Sequence, residues 1–226
     1  MTLFAFFDVD DTLIRHKSMF DFYRFWALEW LTNADLLEEF NRDFVARRAR
    51  GDSREVLNRA YYRHFAGVHA EDLVAAGECW ARPYLEASES FFIASSVKEL
   101  SRLKSEGVEP VFVSGSFGAV LDPIARHLGV GHILGAPLVL GPNGILTGEI
   151  GDPQTIGKGK AEAIRLFLED RNGDPAACFA FGDDISDIDM LASVGNPVVV
   201  GTDTPLARDV RTLAWKRIPG AGERIS

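Results

Sequence analysis

Cysteine is nearly missing from this chain: 226 residues contain two, Cys79 and Cys178. Two thiols so far apart in sequence offer no disulfide framework and fit a reducing compartment, so a cytoplasmic location is expected. Long hydrophobic runs are missing as well. No stretch approaches the roughly 18 apolar residues that a membrane span requires. The apolar start, Leu3 to Phe7, is too short for a secretory signal, has no basic segment before it and runs straight into acid. Basic residues are in deficit, 24 Lys and Arg against 33 Asp and Glu, for a formal charge of −9. Such a chain repels a phosphate backbone, which excludes nucleic acid as the expected partner. The local exception, Arg42, Arg47, Arg48 and Arg50, reads as a solvated helix end. No internal repeat or low-complexity tract is present.

What is present is a core. Hydrophobic residues make up 46% of the chain, enough for one large domain or one domain carrying an insert. Leu3 to Phe7 is an unbroken apolar run ending on Asp8, the pattern of a strand buried on both faces in a parallel sheet. Val111–Val113 repeats it and ends on Ser114-Gly115. Cys178–Phe181 repeats it and ends on Gly182-Asp183, and Pro197–Val200 ends on Gly201. Helical spacing separates these runs over Ser96–Glu106, Phe117–Leu128, Lys160–Glu169 and Ser186–Val194. Strand–helix alternation predicts an α/β fold, a doubly wound Rossmann-like parallel sheet. Residues 16–88 break the alternation. They read as four helices with an aromatic stripe (Phe20, Tyr23, Phe25, Trp26) that forms the core of the insert. A hairpin is expected around Gly141-Pro142-Asn143-Gly144.

Chemistry gathers at the strand ends, where open α/β sheets place their crevice. Asp8 and Asp10, in Asp8-Val9-Asp10-Asp11-Thr12, can converge in a loop, and two converging acids repel unless a cation compensates. One carboxylate can attack phosphorus, while the other protonates the leaving alkoxide and later activates water. Ser114 and Gly115 offer a hydroxyl and backbone N–H groups ahead of a helix, a cradle for phosphate oxygens. Taken alone the same residues also suit an ordinary turn. Lys158 and Lys160 both stand where a helix opens, and Lys160 is the favoured active-site lysine. Gly182-Asp183-Asp184-Ile185-Ser186-Asp187 supplies hard oxygen ligands of the kind that suit Mg²⁺.

In order and spacing these four motifs resemble the haloacid dehalogenase superfamily, in its phosphoserine-phosphatase-like branch, over essentially the whole chain. The resemblance implies a core of residues 1–15 and 89–226, with residues 16–88 as a helical C1-type cap. It implies Asp8 as nucleophile and Mg²⁺ ligand, and Asp10 as general acid/base whose backbone carbonyl also binds the metal. Asp183 becomes a direct ligand, and Asp187 a group that orients Lys160 or a metal-bound water. Thr12, which fixes the first loop, is grouped with Ser114 and Gly115 as the candidate phosphate-binding residues. Dehalogenases of the superfamily lack the second Asp, and its ion pumps carry Thr there plus membrane helices, so Asp10 argues for phosphorus. The expected activity is Mg²⁺-dependent hydrolysis of a small-molecule phosphate ester through an aspartyl phosphate. A phosphotransferase or mutase acting on a sugar phosphate, and a catalytically silent binding protein, are the competing readings. Phosphoserine phosphatases carry a Glu seven residues after the second Asp to hold the substrate ammonium; here that position is Lys17. Lys17 is therefore a candidate substrate-binding residue, or else a solvated residue at the entry to the insert.

Overall fold

The structure is a computed structural model and describes residues 2–223. In chain order its elements are β1 (Leu3–Phe7), α1 (Ser18–Phe25), α2 (Ala34–Ala49), α3 (Arg54–Arg63), α4 (Ala70–Glu86), α5 (Ser88–Phe91), α6 (Ala94–Ser105), β2 (Val108–Val113), α7 (Gly118–Leu128), β3 (His132–Leu134), β4 (Leu138–Leu140), β5 (Leu146–Ile150), α8 (Lys158–Arg171), β6 (Phe179–Gly182), α9 (Ile188–Ala192), β7 (Asn196–Val200), α10 (Pro205–Arg208) and β8 (Lys216–Ile218). Six strands form one parallel sheet in the order β3-β2-β1-β6-β7-β8. From β1 the chain winds outward to β2 and β3, then returns to β6 and winds the other way. The reversal lies between β1 and β6, which makes the gap at their C-terminal ends the natural crevice.

The sheet is buried on both faces because its strands alternate large apolar groups in both directions. On one face Phe7 stacks on Phe181, ring centroids 4.3 Å apart. On the other, Phe4 and Phe6 take the edge of Phe167 from α8. Both clusters pin β1 and β6, the strands that Asp8 and Asp183 follow.

The four expected helices of the insert are α1 to α4. The end of α1 widens into a π-helical turn at Trp26–Trp30, and Phe20, Tyr23 and Trp26 pack with Phe40, Tyr61 and Phe65. The hairpin is β4–β5, paired antiparallel. It also reaches the insert, because the Gly67 N–H donates to the Leu146 carbonyl and the Leu146 N–H donates to the Val68 carbonyl, each at 2.8 Å. On another side α4 lies against α7 of the sheet layer. A Cβ placed on Gly77 would stand 1.8 Å from the Ala119 carbonyl oxygen. Two strands were not expected, β3 and β8. Each is three residues long and lies at an edge of the sheet, so neither carries the continuous apolar run of a central strand. The expected helix Ser186–Val194 is a short 3₁₀ turn, Ile185–Asp187, followed by the brief α9.

Gly77→Ala tests how tightly the insert is fastened. A helix interior favours Ala over Gly by roughly 1 kcal/mol, whereas forcing an atom into a filled contact costs roughly 1–3 kcal/mol. Here the contact is backbone and cannot rotate away, so the clash wins. Urea denaturation is expected to show a net loss of about 1 kcal/mol; a variant more stable than the parent would contradict the close approach.

Candidate active site

Asp8 follows the last residue of β1, and its N–H still donates to the Phe181 carbonyl at 2.9 Å. The ladder thus holds the ends of β1 and β6 side by side and brings Asp8 close to Asp183. Beyond Asp8 the chain turns tightly. Asp11 takes a left-handed conformation (φ 60°), which Asp tolerates better than most residues. The Leu13 N–H returns to the Val9 carbonyl at 2.8 Å and the Asp11 N–H to the Ile14 carbonyl at 2.8 Å.

Carboxylate oxygens of Asp8, Asp183 and Asp187 lie within 4.8 Å of one another, two of the residues buried and Asp183 half-buried. Lys160, in the first turn of α8, reaches into the cluster. Its Nζ is 2.6 Å from Asp8 Oδ1 and 2.7 Å from Asp187 Oδ1. Lys158 is exposed, so of the two candidate lysines Lys160 is the one that meets the acids. Gly182 makes this possible from the β6 side. A Cβ there would come within 2.8 Å of Asp187 Cβ, so only glycine lets Asp187 fold back over the strand end. The other Asp187 oxygen accepts the Asp184 N–H at 3.2 Å. Asp184 in turn caps the following turn through the Ser186 N–H. Asp189 is exposed.

The electrostatics are those of crowded acid. Burial raises the Asp8 carboxyl from 3.8 to about 6, opposed by Lys160. Burial, with repulsion from Asp8 and Asp187, raises Asp183 to about 8. Burial also raises Asp10 to about 7, against the hydrogen bond from Ser18. Burial would lower Lys160, but Asp187 and Asp8 outweigh it and hold the ammonium above its ordinary range. One cation among so many acids leaves negative charge uncompensated, and the donors are all hard oxygens. The residues fit a divalent cation of the magnesium or calcium kind.

Asp10 stands apart from the cluster. Its Oδ2 accepts the Ser18 N–H at 3.0 Å, while its Oδ1 is buried with no partner among the described residues. Thr12 donates its hydroxyl to Asp183 Oδ1 at 2.8 Å. The turn after Asp11 directs it to the β6 loop, so it orients an acid. Ser114 and Gly115 follow β2, the neighbour of β1 in the sheet. The Ser114 oxygen accepts the Ser116 N–H at 3.1 Å, and its own proton has no acceptor among the described residues. Lys17, 59% exposed, pairs with Asp11 at 2.8 Å; burial would lower its pKa, but Asp11, with Asp183 and Asp10 farther off, raises it. Lys17 therefore borders the acidic loop.

Two arginines of the cluster at the end of α2 are tied locally: Arg47 pairs with Asp43 and Asp52, and Arg50 with Asp52. The arginine that does reach the site edge is Arg54 on α3, which the sequence reading passed over. It forks onto Asp184 and lies 3.0 Å from the Ser186 hydroxyl. Asn58 and Tyr62, four and eight residues further on, also touch the sheet layer. Their signal was available: Ser53 is a helix N-cap, and from it Arg54, Asn58 and Tyr62 recur every fourth residue as a polar stripe.

Residues 5–192 match the model of a family described as haloacid dehalogenase-like hydrolase. A relative from Streptomyces azureus, "Inhibition of morphological differentiation protein", is 29% identical over 212 residues, which is 93% of this chain and 76% of that protein. A "probable phosphatase" of Mycobacterium tuberculosis is 28% identical over 213 residues, 93% of this chain and 73% of that one. The solved structure of a phospho-aspartyl intermediate analogue of phosphoserine phosphatase shares the fold, with a TM-score of 0.62 at 18% identity over 96% of this chain and 92% of that chain.

The raised acids make a cation's effect depend on pH. A carboxyl whose pKa rises on folding favours the folded state while protonated, and that advantage is lost as pH climbs through its folded value. Without a cation, Asp8, Asp10 and Asp183 therefore weaken the fold as pH rises through about 6, 7 and 8. The gain in Tm from added Mg²⁺ is expected to grow between about pH 5.5 and about pH 8.5. Thermal unfolding with and without EDTA would show it; a gain that shrinks with pH would oppose the assignment.

Proposed function

The chain belongs to the haloacid dehalogenase-like hydrolase family, and from that premise we propose that it is a Mg²⁺-dependent phosphomonoesterase. It hydrolyses a small-molecule phosphate ester through an aspartyl phosphate on Asp8. The observation that carries this reading is the different surroundings of two carboxyls in one loop. Asp8 lies 2.6 Å from the Lys160 ammonium, whereas Asp10 keeps a buried Oδ1 with no partner among the described residues. The ion pair favours the first as a carboxylate; the second, which burial raises to about 7, is suited to exchange a proton.

In this scheme Lys160 binds Asp8 Oδ1 and leaves Oδ2 to attack phosphorus. The ester P–O bond breaks as the new Asp8–phosphorus bond forms, and protonated Asp10 gives its proton to the leaving alkoxide. Asp10, now a carboxylate, takes a proton from water, which attacks the phosphorus of the acyl phosphate. Inorganic phosphate leaves and Asp8 is restored. The Ser114 hydroxyl and the Gly115 N–H hold phosphate oxygens, and Lys160 balances charge throughout. Asp8 and Asp183, with the Asp10 backbone carbonyl, would hold Mg²⁺, and Asp187, bonded to Lys160 and the Asp184 N–H, would orient the lysine or a metal-bound water; the ion when bound offsets the repulsion between a carboxylate and a phosphate dianion. Helices α1 to α4, residues 16–88, serve as the cap that excludes bulk water.

Hydrolysis of an aryl phosphate is expected with Mg²⁺ and is expected to vanish in EDTA. Asp8→Asn should abolish turnover, since an amide is a poor nucleophile. Asp10→Asn should slow it by roughly 10²–10⁴-fold, the range for lost general acid/base catalysis. Wild-type rates in Asp8→Asn would end the covalent scheme.

Lys17 bears on the substrate. A lysine cannot accept a hydrogen bond from an ammonium and repels it, and this one stands at the loop of Asp10 and Asp11. Phosphoserine is expected to be a poor substrate next to sugar and polyol phosphates. Steady-state kinetics giving phosphoserine the highest kcat/KM of the panel would refute this.

A further inference from the structure

We propose that Asn58 and Tyr62 of α3 are positioning residues for the phosphate-binding loop, holding it through the carbonyl of Gly115. The inference rests on the functional reading above for the role of Ser114, and on geometry for the rest. The Tyr62 hydroxyl donates to the Gly115 carbonyl oxygen at 2.6 Å, and Asn58 Nδ2 donates to the same oxygen at 3.0 Å. Both donors belong to buried residues, Tyr62 at 1% and Asn58 at 6% exposure. A carbonyl oxygen has two lone pairs, so this one is fully used.

The consequence passes along one peptide unit. Gly115 C=O and Ser116 N–H belong to the same plane. Its oxygen is fixed by two donors from α3, and its N–H is fixed on the Ser114 oxygen at 3.1 Å. With one lone pair so engaged, the Ser114 hydroxyl keeps its proton and its second lone pair, and the fixed peptide plane narrows the directions that the proton can take. Asn58 has a second hold: its Oδ1 accepts from Gln154 Nε2 at 2.8 Å, and Gln154 Nε2 also reaches the Glu55 carbonyl at 2.9 Å. Gln154 lies in the segment that leads into α8 and Lys160. One asparagine from the insert thus ties the loop of Ser114 to the segment that delivers the lysine. Separating α3 from the sheet layer would leave a buried hydroxyl, a buried amide and a carbonyl without partners, so the bonds resist opening.

Tyr62→Phe removes the hydroxyl and keeps the ring, which meets Phe117 edge-on at 5.6 Å. Tyr61→Phe is the matched control. The Tyr61 hydroxyl is bonded to the Met19 carbonyl at 2.7 Å, its residue is equally buried, and it does not touch Gly115. The readouts are Tm, KM and kcat for an aryl phosphate, and the Ki of inorganic phosphate, all with Mg²⁺. Both variants are expected to lose similar Tm. Only Tyr62→Phe should raise KM and Ki, by about the same factor, roughly five- to tenfold, the loss of one hydrogen bond. Asn58→Ala, read in the same way, supplies a second variant should Tyr62→Phe fold poorly. Equal shifts of Ki in Tyr61→Phe and Tyr62→Phe would overturn the proposal, as would an unchanged Ki in both Tyr62→Phe and Asn58→Ala. A wild type that neither hydrolyses the aryl phosphate nor is inhibited by phosphate would sink the functional reading, and this inference with it.

Discussion

One buried ammonium among gathered carboxylates governs this structure. Lys160 lies between Asp8 and Asp187 with almost none of its side chain in water. A lone charge so placed would be lost to desolvation; two short ion pairs keep it. Much of the surrounding architecture serves that arrangement. The β1–β6 ladder brings Asp8 to the loop of Asp183, Gly182 clears room for Asp187, Thr12 fixes Asp183, and α8 delivers the lysine from the opposite layer. The charge still in excess is what suits the site to a cation.

The second wall is made by α3, whose polar stripe faces the sheet layer. Arg54 meets Asp184, Asn58 and Tyr62 meet Gly115, and Arg59 donates to the Ile150 carbonyl and pairs with Asp152. Burial would raise Asp184, yet the Arg54 guanidinium and the Ser186 contacts bring it down to about 2. Asp184 is thereby kept as a counter-ion for the insert, apart from the acids that carry raised values.

How far the sequence told this depends on burial. β1, β2, β6 and β7 were legible because a central parallel strand, covered on both faces, is written as a continuous apolar run. Most candidate site residues were legible because the runs of β1, β2 and β6 end on them, while Lys160 stands where a helix opens. β3 and β8 were not, since three half-covered residues at an edge bear no such mark. The choice between Lys158 and Lys160 was a matter of register along α8, which the structure places with Lys160 inward. The partner of Thr12 and the reach of α3 depend on contacts between residues as many as 171 apart, and local pattern cannot carry pairings of that kind.

The approach of α4 to α7 at Gly77 has an evolutionary side. A helix seated with no room for a methyl group cannot drift on its own. α4 and α7 must change together, and a chimera that imports a foreign insert without its matching α7 inherits a misfit. The turn at Trp30 and Leu31, which is exposed, carries no such obligation. Divergence of the insert should therefore start at such exposed turns, with the glycine among the last positions to yield.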